Sequence, residues 1–124
     1  MDNGDQSRRV PAVGIDLGTT NSLAAVIDNG VPVVVRNSEG AFLTPSVVGF
    51  PQSGGVVVGE LAVDLAQTHP DRVVRSVKRH MGTAWHITIG GRNYGPQEVS
   101  ARILQKLKRD TEAFLGAAVS GAVI

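Results

Sequence analysis

The chain has 124 residues, a formal net charge of +1 and no cysteine, and 42% of its residues are hydrophobic. This length suits one domain, and so small a net charge argues against a nucleic-acid-binding protein or one that adheres to acidic membranes. Without cysteine the chain has no disulfides and no thiolate metal sites, which suits a reducing cytoplasm.

The first nine residues are polar and include Gly4 but no apolar segment. A secretory signal needs an apolar stretch at this place, and no later window has the apolar length that spans a bilayer. The sequence therefore predicts a cytoplasmic protein with neither membrane nor nucleic-acid partners. We expect residues 1–9 to form a disordered extension ahead of a folded unit over residues 10–124.

The first third of the chain predicts an antiparallel β-meander. The apolar run Val10 to Leu17 is typical of a buried strand that enters a loop, with the strand itself near 12–17. Two further strands are predicted near 22–28 and 31–36. Between them lies Asp28-Asn29-Gly30, which is the strongest hairpin signal in the sequence because Asn-Gly favours the positive φ angles of a tight turn.

The middle of the chain predicts short elements separated by glycine and proline. His69-Pro70 ends one helix, and Asp71 is a suitable N-cap for the next, which Gly82 would terminate. In chain order we predict strands at 46–50 and 56–59, a helix at 60–67, a second helix at 71–81, and a hairpin of 86–89 with 92–94 around Gly90-Gly91.

From Pro96 to Leu115 the pattern changes to a helical period. The apolar stripe consists of Val99, Ile103, Leu107 and Phe114, joined by Leu104 and Thr111, and the charged residues placed off it are Arg102, Lys106, Arg109 and Glu112. Ala122 to Ile124 then predicts the start of a buried strand. Because the chain ends within this apolar run, we interpret it as truncated.

The segment Gly14 to Ser22 contains the residues with the clearest chemical role. A predicted strand delivers the carboxylate of Asp16, and Gly18 then lets the backbone approach a bulky anion, with hydroxyl groups at Thr19 and Thr20. Since Asp16 and a phosphate are both negative, Mg²⁺ or its bound water is the partner that suits this carboxylate. The loop thus predicts a metal–nucleotide site, with a glycine spacing unlike a Walker loop or a dinucleotide fingerprint.

A purely structural interpretation of this loop remains open on the residues alone. Aspartate and threonine side chains often bond to turn N–H groups, so Asp16 and Thr19 would then only stabilise a hairpin.

Four parts of the chain carry a resemblance to a known family. Val13–Ser22 resembles the first phosphate loop of the superfamily that unites actin, sugar kinases and heat-shock 70 proteins. Three further matches are specific to the chaperones. Thr44–Phe50 is similar to their Thr-Pro-Ser-x-Val-x-Phe, and Val73–Gly82 is similar to the bacterial form of the segment around their catalytic lysine. Glu98–Gly116 with Ala122–Ile124 is similar to the helix and strand that come next in these proteins. In order, these segments resemble the N-terminal part of the ATPase domain of a DnaK-type chaperone of the heat-shock 70 family.

The resemblance implies an α/β, actin-like ATPase fold of the ribonuclease H type. The chain would supply an incomplete first lobe, with the antiparallel meander and helices in a mixed sheet, and the nucleotide would lie in a cleft between two lobes. The implied cofactors are ATP or ADP and Mg²⁺. In the full-length parent, the implied partners are unfolded client peptides, a J-domain co-chaperone and a nucleotide exchange factor.

The same resemblance implies roles for the loop residues. By position, Asp16 would hold the metal through water and take part in catalysis. Gly18, Thr19, Thr20 and Asn21 would contact the phosphates.

Lys78 is the second implied catalytic residue, placed near the γ-phosphate and the attacking water. Phosphoryl transfer develops negative charge that a compact ammonium can stabilise. Judged without the family, a lysine close to Arg75, Arg79 and His80 is better interpreted as a solvated cation. The match of its flanking residues favours the catalytic role.

Two functions from different classes follow. The first is the ATP-binding part of an ATP-dependent chaperone, inactive as 124 residues because half a cleft neither excludes water nor orients the γ-phosphate. The second is a non-catalytic remnant or scaffold module that keeps the loop without the ATPase. A sugar kinase is a weaker third, opposed by the Lys78 segment.

Overall fold

The structure, a computed structural model, describes residues 12–124. The predicted extension over 1–9 lies outside these residues. Within the described part are β1 (Ala12–Leu17), β2 (Asn21–Asp28), β3 (Val31–Val34), β4 (Thr44–Pro45), β5 (Val47–Gly49), β6 (Val57–Val58), α1 (Glu60–Thr68), β7 (Val73–Arg75), β8 (Ile87–Ile89), β9 (Arg92–Tyr94), α2 (Pro96–Leu115) and β10 (Gly121–Val123). Short 3₁₀ turns occupy Pro70–Arg72 and Val77–His80.

The larger sheet contains the predicted β-meander. Strands β1, β2 and β3 pair antiparallel in chain order, and β10 lies parallel to β1 at the other edge, which makes the sheet mixed. The turn between β2 and β3 has Asn29 at φ 50° and Gly30 at φ 77°, the left-handed pair expected for a tight hairpin. Alternation along β1 buries Val13 and Ile15 and leaves Asp16 on the opposite, open face.

The helix predicted over 71–81 is wrong, because this segment contributes a strand, β7, to a smaller sheet. Strand β7 pairs antiparallel with β5, and β5 also pairs with β6. The β-branched Val73 and Val74 favour a strand, and Val74 is buried in the core at 3% exposure. Ser76 then adopts a left-handed conformation at φ 54°, which stops regular structure before the single turn Val77–His80.

The long helix α2 backs both sheets. Its N-terminus is capped by the Glu98 carboxylate, which accepts a hydrogen bond from the Gly95 N–H at 3.3 Å. It ends at Gly116, whose φ of 68° is the left-handed conformation that glycine adopts readily. The predicted stripe is largely confirmed, since Val99, Ile103, Leu107 and Thr111 are buried. Among residues 12–124, neither helix combines the length and apolarity that a bilayer crossing requires.

Two residues of α2 depart from the predicted stripe. Phe114 is 48% exposed, because the buried face continues four residues beyond Thr111, at Leu115, which packs on the core. Lys106, predicted on the polar side, is only 7% exposed. Its aliphatic stem passes the Gly59 backbone, and its ammonium group reaches two carboxylates described below.

Candidate functional site

The site begins where β1 ends and the chain turns back into β2. Residues 18–20 connect the two strands, and the register pairs Leu17 with Ser22. A Cβ placed on Gly18 would lie 2.1 Å from the Asn21 carbonyl oxygen, so only glycine fits this turn. Within residues 12–124, the N–H groups of Thr19 and Thr20 have no hydrogen-bond acceptor. These N–H groups are therefore available to an anion at the tip of the turn.

Ser46 supports the turn through hydrogen bonds from the protein interior. Its hydroxyl donates to the Gly18 carbonyl oxygen at 2.8 Å and pairs with the Ser22 hydroxyl at 2.9 Å, while its N–H donates to the Thr20 carbonyl oxygen at 2.8 Å. Ser22 and Ser46 are 1% and 2% exposed. Bonds held inside the protein in this way fix the backbone of the turn before any ligand binds.

Ser46 takes this position because it separates two short strands: the strand predicted over 46–50 is observed only over Val47–Gly49, and β4 comes before it. Thr44–Pro45 pairs with the start of β2 in the larger sheet, whereas Val47–Gly49 belongs to the smaller sheet. Ser46 is the residue between them, so it joins the two sheets directly under the turn. Ser46 was predicted as part of a strand and of the segment Thr44–Phe50 but not as a support of the turn, since nothing local in the sequence reveals a contact 24 to 28 residues away.

Asp16 lies one residue before the end of β1, on the open face of the sheet. Its carboxylate is exposed and makes no ion pair or hydrogen bond with residues 12–124. The structural interpretation, in which Asp16 bonds to N–H groups of its own turn, therefore has no support in the geometry. The described residues also contain no group of three or more His, Cys, Asp or Glu side chains that could enclose a metal. The one carboxylate at this turn thus suits a metal that is held mainly by water and phosphate.

Lys78 is on a separate element that leads away from the same region. The register pairs Val47 of β5 with Arg75 of β7, so the end of β7 lies beside the residue that follows Ser46. After Arg75 the chain turns at Ser76 into the 3₁₀ turn that carries Lys78. The Lys78 side chain is exposed, and no hydrogen bond or ion pair joins it to the turn or to other described residues.

The connection between β3 and β4 is organised by Asn37, which is 8% exposed. Its Oδ1 accepts from the N–H groups of Glu39 and Ala41 at 3.1 and 2.8 Å. Its Nδ2 donates to the Leu43 carbonyl oxygen and to the Thr44 hydroxyl at 3.2 and 3.0 Å. Asn37 therefore fixes the path of the chain into Thr44, two residues before Ser46.

A buried ion cluster ties this connection to α2. The Lys106 ammonium lies 2.7 Å from Asp110 Oδ2 and 2.9 Å from Glu39 Oε1, and the Ser38 hydroxyl donates to Asp110 Oδ1. Burial by itself lowers the pKa of Lys106, but the hydrogen bonds and charges of Asp110 and Glu39 outweigh it, so the pKa lies above its usual value. The spacing of Lys106 and Asp110, four residues apart on a helix, was the available sequence signal.

The mixed sheet opens with an antiparallel meander, carries a glycine turn after its first strand and packs against a long helix, which agrees with the actin-like class of ATP-binding domains predicted from the sequence. The model of the Hsp70 protein family matches residues 12–89 and 84–124 of this chain. The chain therefore belongs to the Hsp70 family, whose members are ATP-binding ATPases of the chaperone type. The predicted α/β, actin-like fold is confirmed. Proteins of this family generally depend on nucleotide and Mg²⁺, and they generally interact with client proteins and co-chaperones.

Proposed function

We propose that this chain is the phosphate-binding part of the ATPase domain of a DnaK-type chaperone. In this proposal the turn at Gly18, Thr19, Thr20 and Asn21 binds the phosphates of ATP, and Asp16 and Lys78 serve catalysis. The observation that carries the proposal is the turn itself, which only glycine fits and which Ser46 holds in place from the protein interior.

The turn suits phosphate for two reasons. The N–H groups of Thr19 and Thr20 lack acceptors among the described residues, and both side chains offer hydroxyl donors at the same point. Because the backbone is already fixed by Ser46, little conformational entropy is lost when an anion binds. Asn21, exposed at the start of β2, can add its side-chain amide.

Asp16 fits a Mg²⁺ ion that is carried by the nucleotide. Its carboxylate is exposed, unpaired within residues 12–124 and one residue from the turn, so it can hold a metal-bound water without giving up a structural bond. When bound, Mg²⁺ would neutralise part of the phosphate charge. Asp16 itself would orient the hydrated ion towards the turn.

Lys78 is proposed to compensate the negative charge that develops on the transferred phosphoryl group. Its element leaves the smaller sheet at the end that adjoins Ser46, and its ammonium has no partner among the described residues. A free ammonium is available to a ligand, whereas the paired Lys106 is not. The proposed cellular setting is the reducing cytoplasm, and the proposed partners are client peptides, a J-domain co-chaperone and a nucleotide exchange factor.

The test is Lys78→Ala in a full-length protein that carries this chain. If Lys78 acts in the transition state, single-turnover hydrolysis should slow roughly a hundredfold to a thousandfold, because one well-placed electrostatic group contributes about 3–4 kcal/mol to lowering the barrier. ATP affinity should change far less, since the turn and the metal carry ground-state binding. Lys78→Arg should not restore the rate fully, because a planar fork does not occupy the position of an ammonium.

Arg79→Ala is the matched control, since Arg79 is the neighbouring exposed cation on the same turn. Its rate should stay close to that of the unaltered protein. Near-normal hydrolysis in Lys78→Ala would instead make Lys78 a solvated cation. Absence of hydrolysis in the unaltered protein, with ATP still bound, would favour the non-catalytic scaffold module.

A further inference from the structure

A cleft separate from the phosphate-binding turn lies between α2, β9 and the loop that precedes β6. Its volume is about 390 Å³, within the range of small-molecule sites. None of the residues lining it belongs to the turn at 18–21 or to the Lys78 segment. It therefore has no part in the function proposed above.

Three arginines line this cleft, which we call the arginine cleft: Arg92, Arg102 and Arg109. Arg102 and Arg109 lie seven residues apart, and so share one face of α2, whereas Arg92 comes from β9. No aspartate or glutamate lines the cleft. Glu98 pairs with Arg92 from outside it at 3.7 Å, but their side chains are 53% and 65% exposed, so this pair is weak.

Two acidic groups that line a cleft together with Arg109 are already occupied. Glu39 and Asp110 line an adjoining cleft that also contacts Arg109, yet both carboxylates are bound to the Lys106 ammonium. Within residues 12–124, Arg109 has no ion-pair partner. Apart from the weak, exposed pair of Arg92 with Glu98, the described residues thus leave the charge of the arginine cleft uncompensated.

The wall of the cleft beside Arg92 is packed. Tyr94 packs on Phe50 with ring centroids 4.4 Å apart, and the Arg92 guanidinium lies 5.1 Å from the centre of the Tyr94 ring. Val58 forms part of the floor and is 6% exposed. Gly55, at φ 77°, turns the backbone at the rim.

We propose that the arginine cleft binds a small ligand that carries phosphate with at least two negative charges. A carboxylate takes one guanidinium fork, whereas a phosphate group or a pair of linked phosphates offers enough oxygens for three. Arginines that share one cleft repel one another, and a multivalent anion removes that repulsion. A free polyphosphate and a phosphate ester share this chemistry.

The experiment titrates this chain with inorganic pyrophosphate and with glycerol 3-phosphate, both without Mg²⁺, by calorimetry and by ¹H–¹⁵N NMR. The two probes distinguish a free polyphosphate from a phosphate ester. Arg102→Gln and Arg109→Gln should each weaken binding of the preferred probe about tenfold or more, as loss of a charge-assisted hydrogen bond predicts. Chemical shifts should change at Gly55 to Val58.

Lys108→Gln is the matched control, because it removes the same charge from an exposed position of α2 outside the cleft. Its affinity should stay within about twofold, since a distant surface charge is screened by salt. The proposal is overturned if neither probe binds, if Lys108→Gln weakens binding as much as the arginine variants do, or if the shifts centre on Thr19 and Thr20. Tighter binding of a poly-glutamate peptide than of either probe would also overturn it.

Discussion

At the scale of single residues, Gly18 and Ser46 decide the geometry of the proposed phosphate-binding turn. Gly18 is required by space rather than by φ, because the Asn21 carbonyl oxygen occupies the position that a Cβ would take. Ser46 is required because its hydroxyl and N–H hold two carbonyl oxygens of the turn, at Gly18 and Thr20. Both residues therefore act on the backbone path of the turn.

Gly18→Ala should disrupt the turn. The added methyl group would lie 2.1 Å from a backbone oxygen, and the loop must rearrange to accept it. Overpacking of this kind typically costs about 1–3 kcal/mol of unfolding free energy. Urea denaturation and nucleotide titration should both report the loss.

Gly14→Ala is the control in the same strand. The nearest atom to its Cβ is 3.8 Å away, which is an ordinary contact, so stability should change by less than about 0.5 kcal/mol. Equal effects of the two substitutions would show that the turn at Gly18 is not specially constrained.

Ser46→Ala should destabilise the protein by about 1–3 kcal/mol, because it leaves the buried Ser22 hydroxyl and the Gly18 carbonyl oxygen without their partner. A double-mutant cycle with Ser22→Ala, measured by urea denaturation, tests the pair. The double variant should lose less than the sum of the single losses, since the second substitution removes a hydroxyl that is already unpaired. Strict additivity would contradict the hydrogen bond.

At the scale of elements, α2 determines where the β3–β4 connection lies. Lys106 reaches from the helix to Glu39 in that connection, and Asn37 carries the constraint onward to Thr44. Ser46 follows two residues later and contacts the turn. A helix and a loop far apart in sequence thus support the same site through consecutive polar contacts.

Lys106→Met should lower the unfolding free energy by about 3–5 kcal/mol, the usual cost of leaving a buried carboxylate without its partner. The stem of similar length keeps the packing against Gly59, so the loss reports the charge. Lys108→Met, an exposed neighbour, should change stability by less than about 0.5 kcal/mol. A small loss in Lys106→Met would mean that Asp110 and Glu39 are satisfied without it.

The same cluster predicts how stability depends on pH. The folded-state pKa of Lys106 is raised above 10.5, with the hydrogen bonds to Asp110 and Glu39 outweighing burial. Its stabilisation is therefore complete below pH 10.5 and is lost as the pH rises through the raised folded-state pKa. Unfolding free energies measured from about pH 9 upward should converge for the unaltered chain and Lys106→Met. A constant difference throughout would contradict the ion pair.

At the scale of the whole molecule, the described residues provide one wall of the proposed nucleotide site. Asp16 and Lys78 are both exposed, and neither side chain makes a hydrogen bond or ion pair with another described residue. Phosphoryl transfer depends on positioning and on the exclusion of water, and an open surface provides little of either.

We therefore expect the 124-residue chain by itself to show no measurable steady-state ATP hydrolysis. Phosphate release should be followed on rigorously purified protein, with Asp16→Ala as the control for contaminating ATPases. Turnover that persists through purification and disappears in Asp16→Ala would show that the 124-residue chain hydrolyses ATP without further parts of the site.

Much of the fold followed from local pattern. The meander, both glycine hairpins and α2 were predicted because turn conformation and hydrophobic period are properties of neighbouring residues. The helix predicted at 71–81 failed because pairing with β5 decided that segment, and no pattern within it reports a partner about 25 residues earlier. Phe114 and Lys106 were misplaced because a helix stripe is fixed by what packs against it.

The candidate site divides in the same way. The sequence by itself determined the chemistry at one place, where Asp16, Gly18 and the hydroxyl residues follow one another in the chain. Only the tertiary structure decided that Ser46 holds this turn, that the end of β7 lies beside Val47, and that three arginines from two elements share one cleft. The reason is physical, since a turn is fixed by the torsion angles of adjacent residues, whereas a contact between distant segments depends on how the sheets and α2 pack.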